Sequence, residues 1–404
     1  MLLNPYVFGP GGGSSLPTIA DDNSTFNDEG AATTGWTASN STLSVSSSVL
    51  RETKTTGGTS SSMTKSITFT PSSQDYILYG KARASEGANH IGVIWFLNGS
   101  KEVSIWFGSA NASTTYDAQK ISICGTTGTS TRNVAQADLA IAYATTWVEF
   151  ALQFDAKWSR LNCFFKESGK WRFKVGVNCD WFDSTSISVL NSSATPSGGW
   201  CEVDFLTLCK PNIISIGDSI CEGKNFFSPD PSLSLTNNTN TWQHHAQLYP
   251  LLRNNLILNK GVGSQTSAQI ASRMAADVTD HDPRVVFLHA SSNDEGAAIS
   301  KATRSTNVQS AINTVTGAGA SCVLLNAMYG TSASGDNTPS PDLRDYMLDW
   351  WDNYSGSLTG LTARINIMSP LLSGGFMDSG LTESDGIHPT AFGYEDIGQL
   401  IAAS

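Results

Sequence analysis

Charge is scarce in this chain, and positive charge is scarcest. Of 404 residues only 15% are charged, 24 Lys and Arg against 35 Asp and Glu, for a net charge of −11. Nucleic acid and anionic membranes both select basic surfaces, so this balance argues against either as a partner. Long apolar runs are missing as well. No stretch approaches the ~18 residues of a membrane-spanning helix. The opening MLLNPYVFGPGGGSSLP lacks the basic n-region and apolar h-region of a secretory signal, so none is expected. The seven cysteines, Cys124, Cys163, Cys179, Cys201, Cys209, Cys221 and Cys322, show no C-x-x-C spacing. Their odd number leaves at least one unpaired or paired between chains, and mostly buried free thiols are expected. There is no Walker or dinucleotide fingerprint and no Gly-x-Ser-x-Gly elbow. His244-His245 and Asp280-His281-Asp282 lack metal-ligand spacing, so neither metal nor cofactor is expected.

The residues that are abundant, Ser, Thr, Asn and Gly, are typical of extracellular or particle-borne β-rich proteins. The composition changes near Lys210-Pro211. Eight of the eleven Trp precede that point. Before it stand 15 basic and 17 acidic residues, a net −2; after it stand 9 and 18, a net −9. Three segments are expected: an arm or linker over 1–30, a β-rich domain over 31–210 and an alternating domain over 211–404.

The β-rich segment reads as strands at 62–71, 75–84, 90–99, 102–109, 145–155, 161–167, 170–177 and 200–209. They are rich in β-branched and aromatic residues, often with period two, and Gly, Asn, Ser or Pro separates them. Such a series predicts an antiparallel β-sandwich or jelly roll. The closing stretch SGGWCEVDFLTL resembles the last strand of concanavalin-like lectin and carbohydrate-binding domains, which implies a glycan-binding role. Exposed Trp and Tyr would suit sugar stacking, but most are expected in the core.

After residue 210 the pattern alternates. Strands are predicted at 212–216, 256–260, 284–290, 321–328 and 363–369. Helical spacing marks 241–255, 267–278 and 390–403. Alternation of this kind implies βαβ units around a parallel five-stranded sheet, with ligands at the C-terminal strand ends. Three motifs fall at such ends: Gly217-Asp218-Ser219, NKGVGSQTS (259–267) and ASSNDEG (290–296). A fourth, SDGIHPTAFGY (384–394), precedes the last helix.

Each motif alone is weak, since Gly-Asp-Ser is good turn sequence and Ser is a common helix cap. The four in this order resemble the SGNH hydrolases, or GDSL-type esterases and lipases, over residues 212–404. That resemblance implies a flavodoxin-like α/β/α domain and a serine esterase. It assigns Ser219 as nucleophile, His388 as general base and Asp385 as the carboxylate that orients the imidazole. It assigns the oxyanion hole to backbone N–H groups of Ser219 and Ser264 and to the Asn293 amide. Asp218, Gly263, His289 and Asp294 are candidates to line the site. The sequence departs from the family pattern twice: Ser264 and Ser291 stand where Gly is usual. A positive φ at Ser264 would be strained.

The block DGIHPTAFGYEDIGQLIA is similar to those of carbohydrate esterases, which implies an acyl group on a carbohydrate, acetyl above all, as substrate. Two alternatives stand beside this reading: a glycan-binding protein with a degenerate hydrolase domain, and a lipase or thioesterase of the same superfamily. The opening LLNPYVFG resembles that of some bacteriophage tail proteins. This implies an extracellular or virion-associated setting, with homo-oligomerisation compatible with it.

Overall fold

A computed structural model describes residues 24–28, 33–70, 75–85, 91–98, 101–107, 120–127, 131–138, 147–155, 159–180, 183–191, 197–223, 241–247, 256–326, 346–367, 372–373, 376–377, 380–383 and 387–403. The chain divides into two compact units, with the division between Lys210 and Pro211.

The first unit is a sandwich of two antiparallel sheets. One runs, in spatial order, Lys170–Asn178, Arg160–Glu167, Val148–Asp155, Tyr76–Ala84, Trp200–Cys209, Val49–Lys54 and Ser41–Ser46. The other runs Thr131–Asp138, Lys120–Thr127, Lys101–Phe107, Ile91–Asn98, Ser184–Asn191, Ser61–Phe69 and Trp36–Ser39. Aromatic rings from both sheets meet between them. Phe69 and Phe96 of the second sheet stack at 4.2 Å, and Phe154 of the first lies 4.9 Å from Phe69. Rings of this size fill the inter-sheet space that alternating strands create.

Within the segment read as an arm, Ser24–Asp28 is a strand antiparallel to Trp200–Cys209. The cause is an open sheet edge. Val49–Lys54 pairs with residues 200–203 only, and Ser24–Asp28 covers residues 206–209, where unpaired backbone groups would otherwise remain. Residues 1–23 lie outside the described ones. Strands at 36–39, 41–46, 49–54, 120–127, 131–138 and 184–191 go beyond those expected, because Ser, Thr and Lys dilute their apolar alternation.

Trp36 and Trp171 are buried in the sandwich. Trp147 and Trp200 are half-buried, with the Arg83 and Arg51 guanidinium groups each 4.5 Å from a ring centroid. Side chains of Trp95, Trp158 and Trp181 are not among the described ones. All seven cysteines are buried free thiols. Burial pushes Cys209 and Cys322 up to about 12, which makes them poor nucleophiles.

The second unit holds five parallel strands: β1 (Ile213–Gly217), β2 (Ile257–Gly261), β3 (Val285–His289), β4 (Ser321–Leu325) and β5 (Leu361–Ile365). Their spatial order is β2-β1-β3-β4-β5, the doubly wound order whose direction switches between β1 and β3. Side chains alternate between two cores. Ile213, Val285, Phe287 and Val323 face one, with Trp242, Tyr394 and Ile397. Ile214, Ile216, Val286 and Leu288 face the other, with Ile270, Met274, Ile312 and Trp350. Both faces of the sheet are thus covered, as a parallel sheet requires.

The helices that frame the sheet include α1 (Ser219–Glu222), α2 (Trp242–Gln247), α3 (Ser267–Ser272), α4 (Met274–Asp277), α5 (Lys301–Gly317) and α6 (Ala391–Ala403). The helix expected over 267–278 is broken at Arg273, whose φ of −104° and ψ of 3° leave the α region. Helix α5 was not anticipated. Its buried residues Arg304, Val308, Ala311, Ile312 and Val315 do follow helical spacing. An Arg on the inner face and many Ser and Thr hide that stripe from a hydropathy reading. No described helix is long and apolar enough to cross a membrane.

Candidate active site

Strand β1 ends in a turn that only small residues permit. A Cβ on Gly217 would come within 2.6 Å of the His289 Cβ and 2.8 Å of the Cys221 Cβ. A Cβ on Gly261, at the end of β2, would reach 2.1 Å from the Glu222 nitrogen. These two glycines let the short helix α1 lie directly against the strand ends. Asp218 caps it, its Oδ1 accepting from the Ile220 N–H at 3.0 Å. Ser219 is thereby the first helical residue, with its side chain at the sheet's switch point.

His388 comes from the far end of the sequence, three residues before α6. Its Nε2 lies 2.8 Å from the Ser219 Oγ. Both residues are nearly buried, Ser219 at 8% and His388 at 6% exposure. The loop carrying His388 is fixed by its own carbonyl, which accepts from the Glu383 N–H at 2.7 Å, and by a bridge between Thr382 and Pro389. Asp385 lies outside the described residues.

Asp218 does more than cap. Its fully buried carboxylate accepts from the Ser292 N–H at 2.6 Å and from the Asn293 amide at 3.4 Å, and its Oδ1 is 3.1 Å from the His289 Nδ1. Burial raises the carboxyl's pKa, but His289 and the backbone donors outweigh it, and the group sits below the ordinary carboxylate value. Asp218 therefore joins the β1 turn to the β3 turn. His289 closes β3 with no exposed surface.

The β2 turn supplies the left-handed residue that the sequence raised as a concern. Ser264 has φ of +63°, a conformation costing a side-chain-bearing residue about 1–2 kcal/mol. Ser264 is exposed, and among the described residues its N–H meets no acceptor. Gly263 lies beside it, near the Ser219 Cβ. The neighbouring Gln265 carbonyl accepts twice, from the Ser291 hydroxyl at 2.6 Å and the Asn293 amide at 3.0 Å. Thr266 then opens α3 with a capping box.

Two arginines missed by the sequence reading hold this loop cluster from behind. Arg273 donates to the carbonyls of Lys260 at 2.7 Å and Gly217 at 2.9 Å and to the Gln265 side chain at 2.6 Å, and pairs with Asp277. One guanidinium thus ties β1, β2 and the turn after β2, and its exit from the helix at residue 273 serves that role. Arg304, fully buried, stands 3.9 Å from Asp294 and stacks 4.3 Å from the Trp350 ring centroid. Asp294 in turn accepts from the Ser267 N–H at 2.8 Å. Asp294 is therefore an internal anchor behind the site. Apart from the i,i+4 partner Asp277 of Arg273, their partners are distant in sequence or are backbone atoms, which leave no local signal.

Ser219, Ser264, Asn293, Asp218, Gly263, His289 and Asp294 thus gather at the C-terminal ends of β1, β2 and β3, and His388 joins Ser219 from the last loop. His244 is buried on α2, and burial lowers the pKa of His245. Among the described residues no group of three or more His, Cys, Asp or Glu is placed to hold a metal ion.

Residues 215–395 match the GDSL-like lipase/acylhydrolase family. No curated protein matches the chain. Among solved structures, the chain is similar to a GDSL-like lipase from Bacteroides thetaiotaomicron, at 17% identity and a TM-score of 0.36, covering 47% of this chain and 84% of that one. It is similar to the psychrotrophic esterase EstA from a Pseudoalteromonas species, at 16% identity and a TM-score of 0.36, covering 47% and 94%. It is also similar to a Bacillus licheniformis beta-glucanase, at 11% identity and a TM-score of 0.36, covering 47% and 100%. The family match spans all of these loops, and residues 215–395 are a GDSL-like lipase/acylhydrolase domain, a serine ester hydrolase in the broad sense.

Proposed function

We propose that Ser219 attacks the carbonyl of an acyl ester, with His388 as general base and Asp385 as the carboxylate that orients its imidazole. The observation carrying this reading is the 2.8 Å contact between His388 Nε2 and Ser219 Oγ, which is proton-transfer distance. His388 takes the hydroxyl proton as the Oγ–carbon bond forms, then returns it to the leaving alcohol. Water, activated by the same imidazole, releases the acid from the acyl-serine. The N–H groups of Ser219 and Ser264 and the Asn293 amide receive the charge that develops on the carbonyl oxygen.

The substrate we propose is an acetylated carbohydrate. The likeness of the last motif to carbohydrate esterases supports it, as does the joining of the hydrolase domain to an antiparallel sandwich. The excess of acidic residues after 210, 18 against 9 basic, favours neutral over anionic esters. The setting proposed with it is a virion or other extracellular particle acting on a surface glycan, supported by the opening LLNPYVFG. Mass spectrometry of acetate released from acetylated polysaccharides tests the proposal, with Ser219→Ala as control. Release by wild type alone is expected. Hydrolysis of p-nitrophenyl acetate without release from any acetylated glycan would leave the esterase and remove the carbohydrate.

A further inference from the structure

We propose that the Ser291 hydroxyl is a positioning group for the oxyanion turn, pinning the Gln265 carbonyl so that Ser264 stays in its left-handed conformation. This rests on the reading that Ser264 and Asn293 are oxyanion donors.

Ser291 is completely buried just past the end of β3. Its hydroxyl donates to the Gln265 carbonyl at 2.6 Å and accepts from the Asn293 N–H at 2.9 Å. One hydroxyl therefore touches both loops that carry proposed oxyanion donors. The turn after β2 is held on either side of residue 264. Before it, the Val262 N–H donates to the Gly217 carbonyl at 3.0 Å. After it, Gln265 is gripped at its carbonyl by Ser291 and Asn293 and at its side chain by Arg273. Ser264, with φ of +63°, takes up the reversal between these two grips. Such strain persists only where the surroundings over-determine it.

The second donor to that carbonyl explains why a hydroxyl is needed. The Asn293 amide holds the Gln265 carbonyl at 3.0 Å and faces Asp218 at 3.4 Å. When that amide turns an N–H towards the oxyanion, an unaided carbonyl would lose its partner. With Ser291 in place the carbonyl stays satisfied and the turn stays fixed. A buried acceptor left unpaired would instead oppose the recruitment of Asn293.

A double-mutant cycle on p-nitrophenyl acetate tests this, measuring kcat and KM for wild type, Ser291→Ala, Ser264→Gly and the double variant. Ser291→Ala is expected to lower kcat about 10-fold or more, with KM changed less than about 2-fold, as for loss of an interaction made in the transition state. In the Ser264→Gly background the loss is expected to shrink below about 3-fold, because glycine holds positive φ without a clamp. Should Ser291→Ala fail to fold, Ser291→Thr against Ser291→Val gives the same comparison, since these differ in the hydroxyl alone. Equal losses in the wild-type and Ser264→Gly backgrounds, or a loss confined to KM, would overturn the proposal. Wild-type activity in Ser219→Ala would instead overturn the esterase reading on which it rests.

Discussion

Asp218 Oδ1 and His289 Nδ1 stand 3.1 Å apart with no surface of either side chain exposed. A buried contact of this kind, directly behind the turn that carries Ser219, makes the geometry of the site depend on the charge of Asp218. The same carboxylate receives donors from Ile220, Ser292 and Asn293, so its ionised form joins the first motif to the third.

The carboxyl's folded-state pKa is depressed, with burial opposing and His289 and the backbone donors prevailing. Its stabilisation is therefore fully present above the unfolded value of about 3.9 and is lost as pH falls towards the lower folded value. Urea unfolding of wild type and Asp218→Asn should show a stability gap that is constant from pH 7 to 5 and narrows below pH 4. A gap independent of pH would mean that the charge of Asp218 contributes nothing.

Removal of either member of the Ser219–His388 contact should abolish turnover without unfolding the domain. Ser219→Ala and His388→Ala are each expected to lower kcat by at least about 10³-fold, because nucleophile and base act as a unit. Circular dichroism of both should match wild type. A variant that retains activity displaces that residue from its role.

Asn293→Ala should lower kcat by roughly 10²–10³-fold, the usual loss for one oxyanion donor. The amide also holds Asp218 and Gln265. Asn293→Asp, of similar shape but without the donor, should therefore be no more active than Asn293→Ala. Recovery in Asn293→Asp would point to packing in place of donation.

Ser264→Gly should stabilise the domain modestly. Relief of about 1–2 kcal/mol of left-handed strain exceeds the roughly 0.5–1 kcal/mol that glycine loses in chain entropy. A small rise in the thermal midpoint, with esterase activity kept, is expected. A fall would show that the Ser264 side chain contributes contacts outweighing its backbone cost.

Arg304→Ala should be among the most damaging changes outside the reactive groups. It leaves Asp294 buried beside an empty place and removes the cation from the Trp350 face. Loss of one partner from such a buried pair costs roughly 3–5 kcal/mol. Denaturant unfolding checks the magnitude, and a change below about 1 kcal/mol would contradict the pairing.

The sequence by itself determined the fold class, a β-rich antiparallel part followed by five parallel strands with helices. These are local properties. Apolar runs such as IISIG and VVFLH demand burial on both faces of a sheet, and Gly217-Asp218-Ser219 favours a sharp strand-to-helix turn. Chain order then put Ser219, Ser264 and Asn293 on the loops after β1, β2 and β3, and His388 on the loop that leads into α6. Helix α5 escaped notice because its inner face carries Arg304, a residue that reads as solvent-facing until Asp294 and Trp350 surround it. The left-handed Ser264 was foreseeable as a problem but not as a solution. Only the tertiary structure brought Ser291 within 2.6 Å of the Gln265 carbonyl, 26 residues away in sequence. Only it drew Arg273 onto the ends of β1 and β2 together. Hydrogen bonds to backbone carbonyls carry no trace in residue identity, since every residue offers the same acceptor. Which side chain finds which carbonyl was decided by the packing of the sheet and the close approach that Gly217 and Gly261 allow.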